Sequence, residues 1–184
     1  MAKAGMRRIT VFSFVVTVIA GILCCYFDRD IYLTLAITFA TIFYHLGMRL
    51  LVGWLYNMIM KNRADYTKRW FQIYSWENRL YQFLKVKKWK NKLPAYNPEN
   101  FSIKKHTWHE IAQAMCQAEL VHETNMALSF LPLIAVRWFG AFYVFLITSV
   151  CGALFDFVFV IMQRYNRTRV VRMALKERKQ EQMF

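Results

Sequence analysis

The segment Glu119-Leu120-Val121-His122-Glu123 holds the chain's most promising acid–base pair. On a helix, positions three apart share a face, so Glu119 can orient the His122 ring. An imidazole titrates near neutrality, and one held by a carboxylate can act as a general base. The same spacing also fits structural pairing at a helix start. It is half of a di-iron Glu-x-x-His arrangement too, but only one copy is present. His45 and Arg49 are four apart and likewise share a face. Arg49 can hold a phosphate, sugar hydroxyls or a developing oxyanion. Alternatively it reaches up to the lipid headgroups, and His45 is a satisfied core residue. His106 and His109 have no third ligand nearby, so no metal is expected. Cys24, Cys25, Cys116 and Cys151 have no metal-type spacing and read as free thiols. No serine stands in GxSxG, and there is no CxxC, P-loop or GxGxxG. No activated Ser or Cys for a covalent enzyme intermediate is therefore expected.

These groups must be positioned by membrane helices. Of 184 residues, 57% are apolar, against about 45–50% in a soluble domain. The excess is gathered into runs, with most of the 25 Lys and Arg between them. The spacing predicts an all-α integral membrane protein forming a single domain over 1–184, with about four spans at 9–27, 31–60, 117–136 and 138–162. The first run follows Arg7 and Arg8 but no small-x-small cleavage site, so it reads as a retained helix. Asp28-Arg29-Asp30 forms a short acidic turn. The second run is long enough to enter the interface or tilt. Residues 61–123 carry twelve Lys or Arg against six acids, and the tail from Arg164 carries seven against two. The turns near 28–30 and 137 are basic-poor, which predicts both termini and the central segment in the cytoplasm. By this threading His45, Arg49, Glu119, His122 and Asp156 fall at a similar depth in the cytoplasmic half of the bilayer. A charge at a helix centre costs about 2.5–3.5 kcal/mol on insertion scales, so a shared level points to a site.

The central segment 61–116 contains an aromatic and basic stretch. Tyr66, Trp70, Phe71, Tyr74, Trp76, Tyr81 and Phe83 interleave with Lys68, Arg69, Arg79 and Lys85. Rings and cations at helical spacing suit an interfacial helix; RNA binding can use the same composition but is disfavoured beside a span. Lys85 to Lys92 places five lysines in eight residues. They either attract anionic lipid or cradle a phosphorylated donor. Leu93-Pro94 opens a loop. The basic tail 163–184 begins Gln163-Arg164-Tyr165-Asn166-Arg167-Thr168-Arg169, with more hydrogen-bonding variety than anchoring requires.

Lys88-Trp89-Lys90, Ala118-Glu119-Leu120-Val121-His122, Leu131-Pro132 and Gln163 to Arg169 occur in an order and spacing that resembles the glycosyl-diaponeurosporenoate acyltransferases. Those small bacterial membrane proteins esterify a sugar hydroxyl of a carotenoid glycoside. The resemblance covers about residues 75–172 and leaves His45 and Arg49 outside it. It departs at Glu123, where that family's pigment enzyme has an aromatic residue. It implies a multi-pass protein of the bacterial inner membrane that transfers a fatty acyl group to a glycolipid-type acceptor.

The expected reaction has His122, oriented by Glu119, take the proton of a sugar hydroxyl, with His45 the other candidate base. Arg164 and Asn166, with Arg49, would steady the oxyanion. Lys88, Lys90, Arg167 and Arg169 would bind donor phosphates. Trp89, Asp156, Gln163 and Tyr165 complete the expected substrate-binding set. The donor would be an acyl-CoA or acyl-carrier thioester, with no cofactor, no metal and no nucleic-acid partner. Membrane lipids would surround the chain, and the lipid-facing surface of four helices leaves room for a homo-oligomer. Two other functions fit the same features. One is a non-catalytic subunit docking lipid-synthesis enzymes, the other a small lipid transporter.

Overall fold

The computed structural model describes residues 2–27, 29–93 and 96–182. Asp28 of the acidic turn and Pro94 of the loop lie outside them. All regular structure among the described residues is helical. The helices are α1 (Ala2–Phe27), α2 (Asp30–Met60), α3 (Ser75–Phe83), α4 (Val86–Trp89), α5 (Trp108–Leu128), α6 (Val136–Phe139) and α7 (Phe142–Glu181), with short 3₁₀ turns between some of them. The chain divides into two compact units, Met1–Gly53 with Asn125–Leu154, and Trp54–Thr124 with Phe155–Phe184.

Among the described residues three helices are long and apolar enough to cross a membrane: Ala4–Phe27, Asp30–Met60 and Phe142–Gln180. At 1.5 Å per residue, the 31 residues of α2 reach about 46 Å, beyond the ~30 Å hydrocarbon core. The 40 residues of α7 reach about 60 Å. The basic tail is therefore a continuation of the last apolar helix and not a separate extension. The expected third span, 117–136, is not one helix. Helix α5 stops at Leu128, a 3₁₀ turn runs Leu131–Ala135, and α6 follows. Pro132 accounts for the break, since it lacks an N–H and biases the residue before it away from the α region.

In the first unit α1 and α2 run antiparallel. Phe14 meets Phe43 with ring centroids 5.2 Å apart, and Thr10 lies beside Gly47. Their outer faces are apolar, with Val11 63% and Phe12 59% exposed, as expected of surface that meets lipid instead of water.

In the second unit α5 and α7 are also antiparallel. Trp108 N–H donates to Glu177 at 3.2 Å, Arg164 and Arg167 bond Glu119, and Asp156 meets His122. On α7, Asp156, Val160, Gln163, Arg167 and Ala174 recur at helical spacing, and all are buried. Helix α5 answers with Ala112, Met115, Cys116 and Glu119, all buried. The start of α5 is fixed by a capping box, in which Thr107 Oγ1 accepts from Glu110 N–H and Glu110 accepts from Thr107 N–H. The central segment packs on this pair through two clusters. Phe71 joins Ala64 and Cys116, and Tyr81 and Val86 join Ile161.

Phe71 is 6% exposed, so Phe71→Ala is expected to cost about 3–5 kcal/mol. Thermal unfolding in detergent checks this, with Trp70→Ala, a 63% exposed neighbour, as the milder comparison.

Candidate functional site

The deepest polar feature of the second unit is a four-charge cluster. Glu119 has no exposed surface, Arg167 is 2% exposed and Glu77 3%. Arg164 grips Glu77 with two parallel bonds, both 2.9 Å, from Nε and Nη2. Its Nη1 reaches Glu119 at 2.7 Å and the Trp70 carbonyl at 3.3 Å, and Nη2 also meets the Gln72 carbonyl at 3.1 Å. Arg167 holds the other oxygen of Glu119 and bonds the Phe71 carbonyl. Two carboxylates and two guanidiniums cancel, which makes burial of all four tolerable. The planar guanidinium of Arg164 meets five acceptors, a fork that Lys cannot copy.

Glu77 is further tied to Tyr81 Oη at 2.6 Å and to Tyr74 N–H at 3.1 Å. Burial works against its ionised form. The bonds from Arg164, Tyr81 and the Tyr74 amide outweigh that and hold the carboxyl below its ordinary range. Burial and the neighbouring Glu77 carboxylate push the Tyr81 phenol up.

The pairing expected for His122 is replaced by another. Glu119 is taken by the two arginines, and the carboxylate at His122 is Asp156, with Nδ1 to Oδ1 at 2.8 Å. Asp156 is fully buried, while 23% of the His122 side chain remains accessible. The ring stacks on Phe159, centroids 4.9 Å apart and planes 12° from parallel. A carboxylate at Nδ1 fixes the tautomer that leaves Nε2 able to accept a proton. Asp156 was expected only as a substrate contact, and the local spacing of Glu119 and His122 pointed to the wrong partner. Glu123, next along α5, accepts from Trp70 Nε1 at 2.8 Å.

The remaining basic residues fall into two classes. Lys90 Nζ bonds Asn166 Oδ1 at 2.5 Å and lies 5.0 Å from the Tyr165 ring centroid, and Tyr165 in turn packs edge-on against Tyr81. Burial, then the nearby charges of Arg169 and Lys87, lower the Lys90 pKa. Trp89 Nε1 donates to the Leu84 carbonyl at 2.9 Å, so this ring is structural. Lys88 and Arg169 are exposed, and Gln163 is buried. His109 meets Tyr66 and His106 meets Glu110. Among the described residues no cluster has the makings of a metal site.

The first unit holds His45 and Arg49. Arg49 Nη1 donates to the His45 carbonyl at 2.6 Å and Nη2 to the Gly152 carbonyl at 2.9 Å. A Cβ at Gly152 would stand 3.1 Å from His45 Nδ1 and 3.2 Å from both Arg49 Nη2 and Ser129 Oγ. Gly152 therefore permits this close packing, a signal visible in the sequence only as one more glycine in an apolar run.

Three outcomes follow from this geometry. Glu119→Gln leaves the buried Arg167 without its counter-charge and is expected to cost about 3–5 kcal/mol, read as a lowered Tm. Gly152→Ala overpacks and is expected to cost about 1–3 kcal/mol by the same measurement. Because the Glu77 carboxyl is depressed, its contribution is complete above its ordinary value of 4.5 and is lost as pH falls through the lowered one. Tm should therefore drop on acidification below about 4.5, and drop less in Glu77→Gln.

No curated protein and no solved structure matches the chain. Residues 67–176 match the family described as glycosyl-4,4'-diaponeurosporenoate acyltransferase. The match takes in Trp70, Glu77, Glu119, His122, Asp156, Arg164 and Arg167, the residues that build the second unit's polar core. It covers more than half of the chain, which therefore belongs to the glycosyl-4,4'-diaponeurosporenoate acyltransferase family.

Proposed function

We propose that the chain is a membrane O-acyltransferase whose general base is His122, set by Asp156. Acyl transfer to a glycolipid is supported at family level. The observation that carries the residue assignment is the 2.8 Å bond from His122 Nδ1 to a fully buried carboxylate, with part of the ring still accessible. In this reading the donor is an acyl-CoA or acyl-carrier thioester, and the acceptor is a sugar hydroxyl of a membrane glycolipid or glycosylated isoprenoid. His122 Nε2 takes the hydroxyl proton as the oxygen attacks the thioester carbonyl. The tetrahedral adduct collapses and the C–S bond breaks. The departing thiolate takes the proton back from the imidazolium. Such base catalysis contributes about 10²–10⁴ in rate, with Asp156 holding the tautomer and stabilising the charged ring.

Arg164 takes a different role from the one its position in the basic tail implied. Its five bonds run to internal acceptors, so it braces the site and is not assigned to the oxyanion. Lys88 and Arg169, exposed and close in kind to the semi-buried Lys90, are assigned to donor phosphates. We assign both basic segments to the cytoplasmic side, in line with their excess of Lys and Arg. With α7 descending to that side, antiparallel α5 begins on it.

Comparative lipidomics of cells making wild type, His122→Gln and Asp156→Asn at matched levels tests this reading. Wild type should add a lipid heavier by one acyl group. Both variants should lower it by two to four orders of magnitude, about the scale of a lost base or tautomer. Full acylation by folded His122→Gln would remove His122 as the base. No new ester from folded wild type, in a host containing the glycolipids, would favour a docking subunit.

A further inference from the structure

Helix α3 turns Glu77 and Tyr81 inward and leaves the rings of Trp76 and Phe83 outward. Glu77 and Tyr81, one turn apart, face the protein at 3% and 6% exposure and bond each other and Arg164. Trp76 and Phe83 are seven residues apart and so share a face, and they are 60% and 82% exposed. Trp70 and Tyr74, just before the helix, add 63% and 56%. A helix on the surface of a soluble domain is arranged the other way, with its rings against the core. Among the described residues no hydrophobic cluster covers Trp70, Tyr74, Trp76 or Phe83.

The charge around these rings identifies what covers them. Lys68, Arg69, Arg79, Lys85, Lys87 and Lys88 are all exposed. Between Tyr66 and Lys92 the single acid is Glu77, which is buried. The outer surface of the segment is therefore aromatic and cationic with no exposed carboxylate. Its tether is short as well, because Met60 ends a helix long and apolar enough to cross a bilayer, and Lys68 follows eight residues later. Eight residues reach at most about 29 Å when fully extended.

We propose that the outer face of the segment Trp70–Lys88 docks in the headgroup region of an anionic phospholipid leaflet. Trp70, Tyr74, Trp76 and Phe83 seat at the boundary between headgroups and acyl chains, where amphipathic rings are favoured. Arg69, Arg79, Lys85 and Lys87 meet lipid phosphates, which a basic segment beside a span attracts. The inference depends on α2 crossing the membrane and is independent of which histidine is the base. It distinguishes the two sides of α3: Glu77 and Tyr81 hold the protein, Trp76 and Phe83 hold the lipid.

The test is photo-crosslinking of the full chain with p-benzoylphenylalanine placed at Phe83 or at Trp76. Both positions are exposed enough to accept the larger ring without disturbing the Glu77 side of the helix. The purified chain is held in nanodiscs of phosphatidylcholine, or of phosphatidylcholine with phosphatidylglycerol, and adducts are identified by mass. Lipid adducts at both positions are expected, with phosphatidylglycerol captured beyond its share of the lipid. The double variant Arg79→Glu with Lys85→Glu should abolish that enrichment. Adducts in proportion to bulk lipid would overturn the anionic preference. No lipid adduct in nanodiscs, or protein adducts alone in cell membranes, would overturn the proposal and assign the face to a soluble partner.

Discussion

A carboxylate with no exposed surface, clamped by two arginines, is the constraint on which the second unit is organised. Glu119 alone would be untenable where it sits, because an isolated buried charge costs several kcal/mol even after the protein relaxes around it. Arg164 and Arg167 stand three apart on α7 and so reach it from one face. Each then needs further acceptors, and the backbone carbonyls of Trp70, Phe71 and Gln72 supply them. The requirement to satisfy every buried donor thus brings the segment before α3 onto the helix pair. Glu77 completes the neutralisation and orients α3 at the same time.

The same helix pair carries the histidine. One turn beyond Glu119 along α5 stands His122, and two turns before Arg164 along α7 stands Asp156. Once the cluster fixes the register of the antiparallel pair, these two side chains are brought to hydrogen-bonding distance. Stacking on Phe159 removes the ring's remaining freedom. A base held by packing and by a buried carboxylate is pre-organised, which is what acid–base catalysis needs from a scaffold. In this account Arg164 and Arg167 serve structure, and exposed cations beside them such as Arg169 remain for anionic ligands.

Much of the fold was legible in the residues, for a physical reason. Lipid requires contiguous apolar helix, so the runs 9–27, 31–60 and 138–162 announce three membrane-long helices. The third expected span was harder, since the apolar stretch near Met126–Val136 looks continuous until Pro132 is weighed as a helix breaker. The site was legible in its residue types but not in its pairings. Glu119 and His122 are near neighbours in sequence, and a local rule joined them. Their actual partners lie 34 to 48 residues away, beyond the reach of helical spacing. Glu77 was missed because a lone acid in a basic aromatic stretch gives no signal until Arg164 is found against it. The family's motif at 163–169 marked the right segment while leaving open that Arg164 and Arg167 face inward.

The central claim is that a histidine set by a buried aspartate performs acyl transfer. Its most direct measurement is a single-turnover assay with the purified full chain in detergent-stable discs, an isotope-labelled acyl thioester and a membrane glycolipid. Ester formation and free thiol release are followed together in wild type and in Asp156→Asn. The account predicts equal appearance of ester and thiol in wild type, and a rate lower by about two to four orders of magnitude in the variant with its Tm nearly kept. An Asp156→Asn protein that folds and transfers at the wild-type rate would contradict it.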